Sequence, residues 1–135
     1  MIKSKGYVIN IEKETEKNTV FRHVLYTGKY SQLVLMSLKP SEEIGEETHK
    51  DVDQFFRFEK GEGKVIIDGV EHKLSDGYGV IVPAGAKHNV VNTSKRSNLK
   101  LYTIYSPPEH QDGVVRHTKG EAVASKEHFD GKTTE

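Results

Sequence analysis

Apolar residues in this chain come in short runs of strand length divided by glycine, proline and acidic turn signals, and no long segment carries a helical period. SQLVLMSLKP (31–40) reads as a buried strand ended by a proline. In DQFFRFEKGEG (53–63) the alternation puts Gln54, Phe56 and Phe58 on one face and Phe55, Arg57 and Glu59 on the other, until the glycines break the strand. KVIIDGVEHKL (64–74) predicts two short strands joined by Asp-Gly, the pair favoured in a type I′ hairpin turn. Residues 76–94 predict a strand, a Pro/Gly turn and another strand. NLKLYTIYSPP (98–108) predicts a further alternating strand, with Leu101, Thr103 and Tyr105 on one face and two prolines at its end.

Short, regularly spaced strands of this kind predict an all-β antiparallel sandwich or barrel. Residues 30–108 carry that pattern. Residues 1–29 read as an N-terminal strand or extension with a weak strand signal in YVINI, and 109–135 as a polar tail or a short helix within 118–129. A length of 135 residues suits one domain with its own core. Lys+Arg and Asp+Glu balance at 20 each, which removes the electrostatic reason to expect nucleic acid or an anionic membrane as partner. The run EKETEK (12–17) mixes signs and reads as solvated surface. No apolar run approaches the roughly 20 residues that span a bilayer, and no signal-peptide pattern opens the chain, so the expectation is a soluble, cytoplasmic protein. The absence of cysteine excludes disulfides, thiolate metal sites and cysteine nucleophiles.

Candidate chemistry concentrates in GEETHKDVDQ (45–54). Glu47 and His49 are two apart and share a face in an extended chain, and Gln54 enters from the strand that resumes after KDVD. Imidazole, carboxylate and amide oxygen together suit a first-row divalent ion. A fourth group must come from elsewhere. His88 is the best placed, because PAGAKH delivers it just after a tight turn at the start of a strand. Phe56, Phe58, Thr103 and Tyr105 are candidates for lining a substrate pocket if their faces point inward, with core packing the simpler role for the phenylalanines. Arg57 reads as a surface cation and His72 as solvated. Arg22 and His23 lie before the motif and are weaker candidates for the pocket mouth or a partner surface. His110, His117 and His128 have no metal-ligand spacing.

These residues also resemble a known family. The cupin superfamily has a first motif of Gly, five residues, His-x-His, three or four residues, Glu, six residues, Gly. Here Glu47-x-His49, four residues, Gln54, six residues and Gly61 reproduce the spacing with two ligand types changed, and Ser41 stands where the first glycine is expected. The second motif of Gly, five residues, Pro-x-Gly, two residues, His, three residues, Asn is matched at Gly77, Pro83, Gly85, His88 and Asn92. The resemblance implies a double-stranded β-helix, a jelly-roll barrel with one divalent metal ion near its centre (Fe, Mn, Ni or Zn) held by Glu47, His49, Gln54 and His88. The usual three histidines and one carboxylate have become two histidines, one carboxylate and one amide, so the formal charge of the site is kept. The chain is similar to small single-domain cupins that process unsaturated uronic sugars and to those likened to mannose-6-phosphate isomerase. That likeness implies a metal-dependent enzyme acting on a sugar or sugar acid by isomerisation, epimerisation or ring opening, with Tyr105 handling protons and a homodimer as the assembled form. A non-haem dioxygenase and a non-catalytic small-ligand binder are the alternatives. The motifs place no second carboxylate or lysine beside the site.

Overall fold

Strand alternation becomes two facing antiparallel sheets in the computed structural model, which describes residues 5–135; the first four residues of the N-terminal segment lie outside the described residues. The strands are β1 (Arg22–Thr27), β2 (Gln32–Leu38), β3 (Glu47–Thr48), β4 (Asp53–Lys60), β5 (Gly63–Ile67), β6 (Val70–Leu74), β7 (Gly79–Val82), β8 (Lys87–Asn92), β9 (Leu99–Ser106) and β10 (Val115–Arg116). One sheet has six strands in the order β10-β1-β2-β9-β4-β7, and the other has four in the order β3-β8-β5-β6. The sheets form a sandwich whose edges are not joined by a continuous hydrogen-bond ladder, so the expected barrel is not closed.

The alternation seen in β4 and β9 is the alternation of burial: Phe56, Phe58, Leu101, Thr103 and Tyr105 face inward, where the two sheets meet. The Asp-Gly hairpin forms as expected, with positive φ at Asp68 (46°) and Gly69 (83°), as a type I′ turn requires. At the second motif, Ala86 N–H donates to the Pro83 carbonyl (3.1 Å) and Gly85 takes φ +88° at the third position of the turn. The Gly85 N–H donates to the His49 carbonyl (2.8 Å), so this turn stitches the two motifs together. Asn92 has a structural role: its buried amide donates to the carbonyls of Leu38, Lys39 and Ser97 at 2.9–3.1 Å.

The N-terminal segment differs from the sequence expectation, whereas a short helix does form within 118–129. YVINI forms no strand; Asn10 caps a short helix, α1 (Ile11–Lys17), by accepting from Lys13 N–H (3.1 Å). The EKETEK run lies on this helix, exposed apart from buried Thr15 and half-buried Glu14. β1 pairs with β2, so the sheet begins before residue 30. The C-terminal segment crosses the same sheet. β10 pairs with β1, α2 (Lys119–Ala124) follows, and Thr134 N–H donates to the Thr27 carbonyl (2.9 Å).

Ser41 has φ +65° where the family motif has glycine. A side chain in the left-handed region costs about 1 kcal/mol, so Ser41→Gly should raise the thermal midpoint by a few degrees, with no change in site properties. A lower midpoint would show that the serine side chain contributes more than its backbone strain costs.

Candidate metal site and cavity

Backbone register brings the motif residues together. Glu47 on β3 is the direct partner of His88 on β8, while Gln54 enters from β4 in the opposite sheet, itself paired with Tyr105 on β9. Just beyond β3, His49 sets its Nε2 3.2 Å from Glu47 Oε2, and His88 sets its Nε2 3.2 Å from Gln54 Oε1. The two imidazole rings stand 5.4 Å apart. The outer nitrogens have their own partners: His88 Nδ1 lies 3.1 Å from the Ala86 carbonyl, and His49 Nδ1 lies 3.3 Å from Glu109 Oε1. Gln54 is oriented by Thr103, whose hydroxyl accepts from its amide nitrogen (2.9 Å). Although close to Glu47, buried His49 Nε2 is misaligned for a hydrogen bond and makes none. Among the described residues, no group of three His, Asp or Glu side chains is placed to hold a metal ion. The four candidate donors stand as two pairs instead.

A cavity of about 430 Å³ opens beside the Glu47–His49 pair, with a wall that includes Arg22, Glu47, His49, Glu109, His110 and Glu127 but not Gln54 or His88. Phe56, Phe58, Thr103 and Tyr105 are not part of this wall; they are buried beneath it. Phe56 meets His88 edge-on at 6.1 Å, and Tyr105 sits edge-on between His49 (5.8 Å) and His110 (5.1 Å). Arg22 reaches the cavity, whereas His23 on the neighbouring face points toward the α1 side.

The family model described as "Cupin domain" matches residues 34–105. "Uncharacterized protein YrkC" of Bacillus subtilis (strain 168) is 45% identical over 129 residues, covering 91% of this chain and 69% of that protein. "Uncharacterized protein L612" of Acanthamoeba polyphaga mimivirus is 45% identical over 113 residues, covering 81% of this chain and 70% of that protein. The crystal structure of BH2720 from Bacillus halodurans superposes with a TM-score of 0.87 at 43% identity, covering 90% of this chain and 96% of that one.

The chain belongs to the cupin family.

Three residues that the motifs do not mark complete the site of this cupin. Glu109, His110 and Glu127 come from the C-terminal segment. Buried Gln32 clamps that segment in place: its amide donates to the His110 carbonyl (2.7 Å), and its oxygen accepts from the N–H groups of Glu109 (3.2 Å) and His110 (3.0 Å). His110 Nε2 then meets the Tyr105 hydroxyl (3.3 Å), and its Nδ1 stands 3.3 Å from Glu127 Oε1. No local period marks these positions, because their burial is imposed by β2 from far away in sequence. Glu109 is the second carboxylate that the motifs do not supply.

Charge and burial set the protonation of the cupin site. Burial opposes charge on His49, but the Glu109 and Glu47 carboxylates beside it raise its pKa to about 9. Burial pushes Glu47 up, and contact with His49 and the nearby Arg22 charge more than reverse this, leaving it below the ordinary carboxylate value. His49 likewise holds Glu109 low. Burial, reinforced by Arg22, lowers His110 to about 4. Tyr105 is pushed well up by its burial and then by the Glu47 charge, so it stays protonated. Among the described residues no helix is long and apolar enough to cross a membrane.

Proposed function

We propose that this cupin holds one divalent metal ion between Glu47, His49, Gln54 and His88 and acts on a small polar substrate of the sugar or sugar-acid class, by isomerisation, epimerisation or ring opening. The observation that carries this reading is the contact between His88 and Gln54. A neutral imidazole has one N–H, and the Ala86 carbonyl, which can only accept, takes it at Nδ1. Gln54 spends its amide N–H on Thr103 and turns its oxygen inward. With the imidazole N–H on the Ala86 carbonyl, His88 Nε2 and Gln54 Oε1 stand 3.2 Å apart as two lone-pair atoms, which a cation between them would satisfy. Donors bound about 2.0–2.2 Å from one ion stand roughly 3 Å apart, which both pairs match. The outer nitrogens are tied to a carbonyl and a carboxylate, the usual orienting partners of ligating histidines. An ion would draw the two pairs together.

When bound, the ion supplies Lewis-acid polarisation of a substrate carbonyl or hydroxyl. The protein supplies the proton handling: Glu109 and His110 face the cavity, and the protonated Tyr105 hydroxyl backs His110. Tyr105 acts through His110 in this reading, because it does not reach the cavity wall.

Metal analysis of the purified protein tests the proposal. Wild type should carry about one ion per chain, and Glu47→Ala and His88→Ala should each retain less than about a tenth of it, as expected when a ligand is lost and affinity falls by tenfold or more. Equal metal content in all three proteins would sink the reading. Redox-active iron with O₂ uptake would replace sugar chemistry by oxygenase chemistry at the same ligands.

A further inference from the structure

The open edge of a β-sheet presents unpaired backbone groups, and every sheet edge but one is protected by brevity or by charge. β3 and β10 are 2 residues long, and β6 carries Glu71, His72 and Lys73 in succession. β7 has neither protection, and among the described residues no strand pairs with its outer side. Residues 77–86 contain no charged side chain, and the strand exposes Ile81 (70%) close to Tyr78 (52%). Its free backbone groups follow from the ladder with β4. Phe58 N–H donates to the Tyr78 carbonyl (2.9 Å), so the two-residue alternation of an antiparallel pair bonds Val80 and Val82 to β4 and turns the N–H and carbonyl of Gly79 and Ile81 outward.

From this edge we infer that β7 joins two copies of the chain, antiparallel about a two-fold axis at Val80, and continues the sheet from one copy into the other. The register follows from the free groups. With the axis at Val80, Gly79 of each copy stands opposite Ile81 of the other, and each such pair exchanges both of its hydrogen bonds. An axis at Gly79 would set Ile81 against Gly77, whose N–H is already given to the Phe58 carbonyl (2.8 Å). An axis at Ile81 would set Gly79 against Pro83, which has no N–H. The side chains fit the same register. Directly opposed residues share a face, so Ile81 of one copy lies over Gly79 of the other. The Phe55 ring borders that position: a Cβ on Gly79 would stand 3.2 Å from Phe55 Cε1. Each copy thus supplies an exposed isoleucine and the bare glycine beside a phenylalanine that receives it. Charge favours a second copy over a charged partner, because the edge carries none and the formal net charge of the chain is +0 at pH 7. No β7 residue lines the cavity, so the inference stands apart from the proposed function.

Sedimentation equilibrium from micromolar to millimolar protein tests the assignment. A ladder of 4 residues is small for a stable interface, so wild type should show a reversible equilibrium between monomer and dimer with micromolar dissociation and no larger species. Ile81→Lys puts a charge into the shared ladder from both copies and should weaken dimerisation at least about tenfold. Val70→Lys, at an exposed apolar position on β6, should leave it unchanged. The chain has no cysteine, so Val80→Cys gives an independent readout. Across the axis the two copies of residue 80 form a pair without hydrogen bonds, with Cα atoms about 4.5 Å apart, within reach of a disulfide. Oxidation in air should convert Val80→Cys to a covalent dimer and leave Val70→Cys largely uncrosslinked. A wild type that stays monomeric throughout overturns the inference, as do open-ended oligomers or a dimer that Ile81→Lys leaves intact. If Ile81→Lys does not fold, the cross-link decides: a covalent Val80→Cys dimer supports the axis, and a dimeric protein that does not cross-link there overturns it.

Discussion

Phe56→Ala should lower the unfolding free energy of this cupin by about 3–5 kcal/mol, a shift in urea midpoint at unchanged slope. Phe56 is 0% exposed and sits in mid-sheet, on β4 between β7 and β9. Its ring stacks on Phe58, 6.2 Å away and 19° from parallel, and meets His88 edge-on. Both sheets are hydrogen-bonded around it, so the gap left by alanine cannot close by collapse of one wall. For a domain whose total stability is about 5–15 kcal/mol, that is about a fifth or more of the margin. The removed ring also supports His88, so the variant should lose metal more readily than an equally destabilised change far from the site. A cost below about 1 kcal/mol would mean that Phe56 is not packed core, and the ring would return as a ligand contact.

The middle of the chain was legible because its local rules agree. In β4 and β9 the period-2 alternation coincides with burial, and Asp68-Gly69 has the positive-φ backbone of a type I′ hairpin turn, which that pair favours. The second motif was legible for a geometric reason: Gly85 must take a positive φ, and His88 follows it at fixed distance. β1 was hidden. Its ladder with β2 shifts register between Val24 and Tyr26, which breaks the alternation, and its buried Arg22 looks like a surface residue in sequence. The C-terminal contribution was hidden for a different reason. Glu109, His110 and Glu127 are polar, and only the clamp from Gln32 and the pairing of β10 with β1 bring them to the cavity. Four candidate ligands were therefore readable from motif spacing, while the wall that faces a ligand was set by tertiary contacts. The same tertiary contacts moved Tyr105 from the expected wall to a position behind His110.

Stability should fall by about 3 kcal/mol as pH drops from 6.5 to 4 on account of His110 alone, taking about 1.4 kcal/mol per unit of pKa difference. In the folded protein this histidine is held at about 4, against an ordinary value of 6.5, first by burial and then by the positive Arg22. Glu127, Glu109 and Glu47 pull the other way without reversing it. A depressed folded pKa means that the unfolded chain binds the proton first. His110 therefore leaves stability untouched above pH 6.5, erodes it between 6.5 and 4, and adds no further loss below 4. The lowered carboxylates Glu47, Glu109 and Glu127 also cost stability in acid, but they do so below the ordinary carboxylate value of 4.5. Most of the His110 loss precedes theirs. Urea unfolding of wild type and His110→Gln at pH 7, 6 and 5 separates the two, since glutamine offers polar atoms to Tyr105 and Glu127 without titrating. The wild-type curve should drop across this range, while the variant's should not drop and should rise slightly, because His49, raised to about 9 in the fold, adds stability as pH falls toward 6.5 and below. Parallel curves would show that His110 charges freely in the fold, and the buried neutral imidazole between Tyr105 and Glu127 would have to be abandoned.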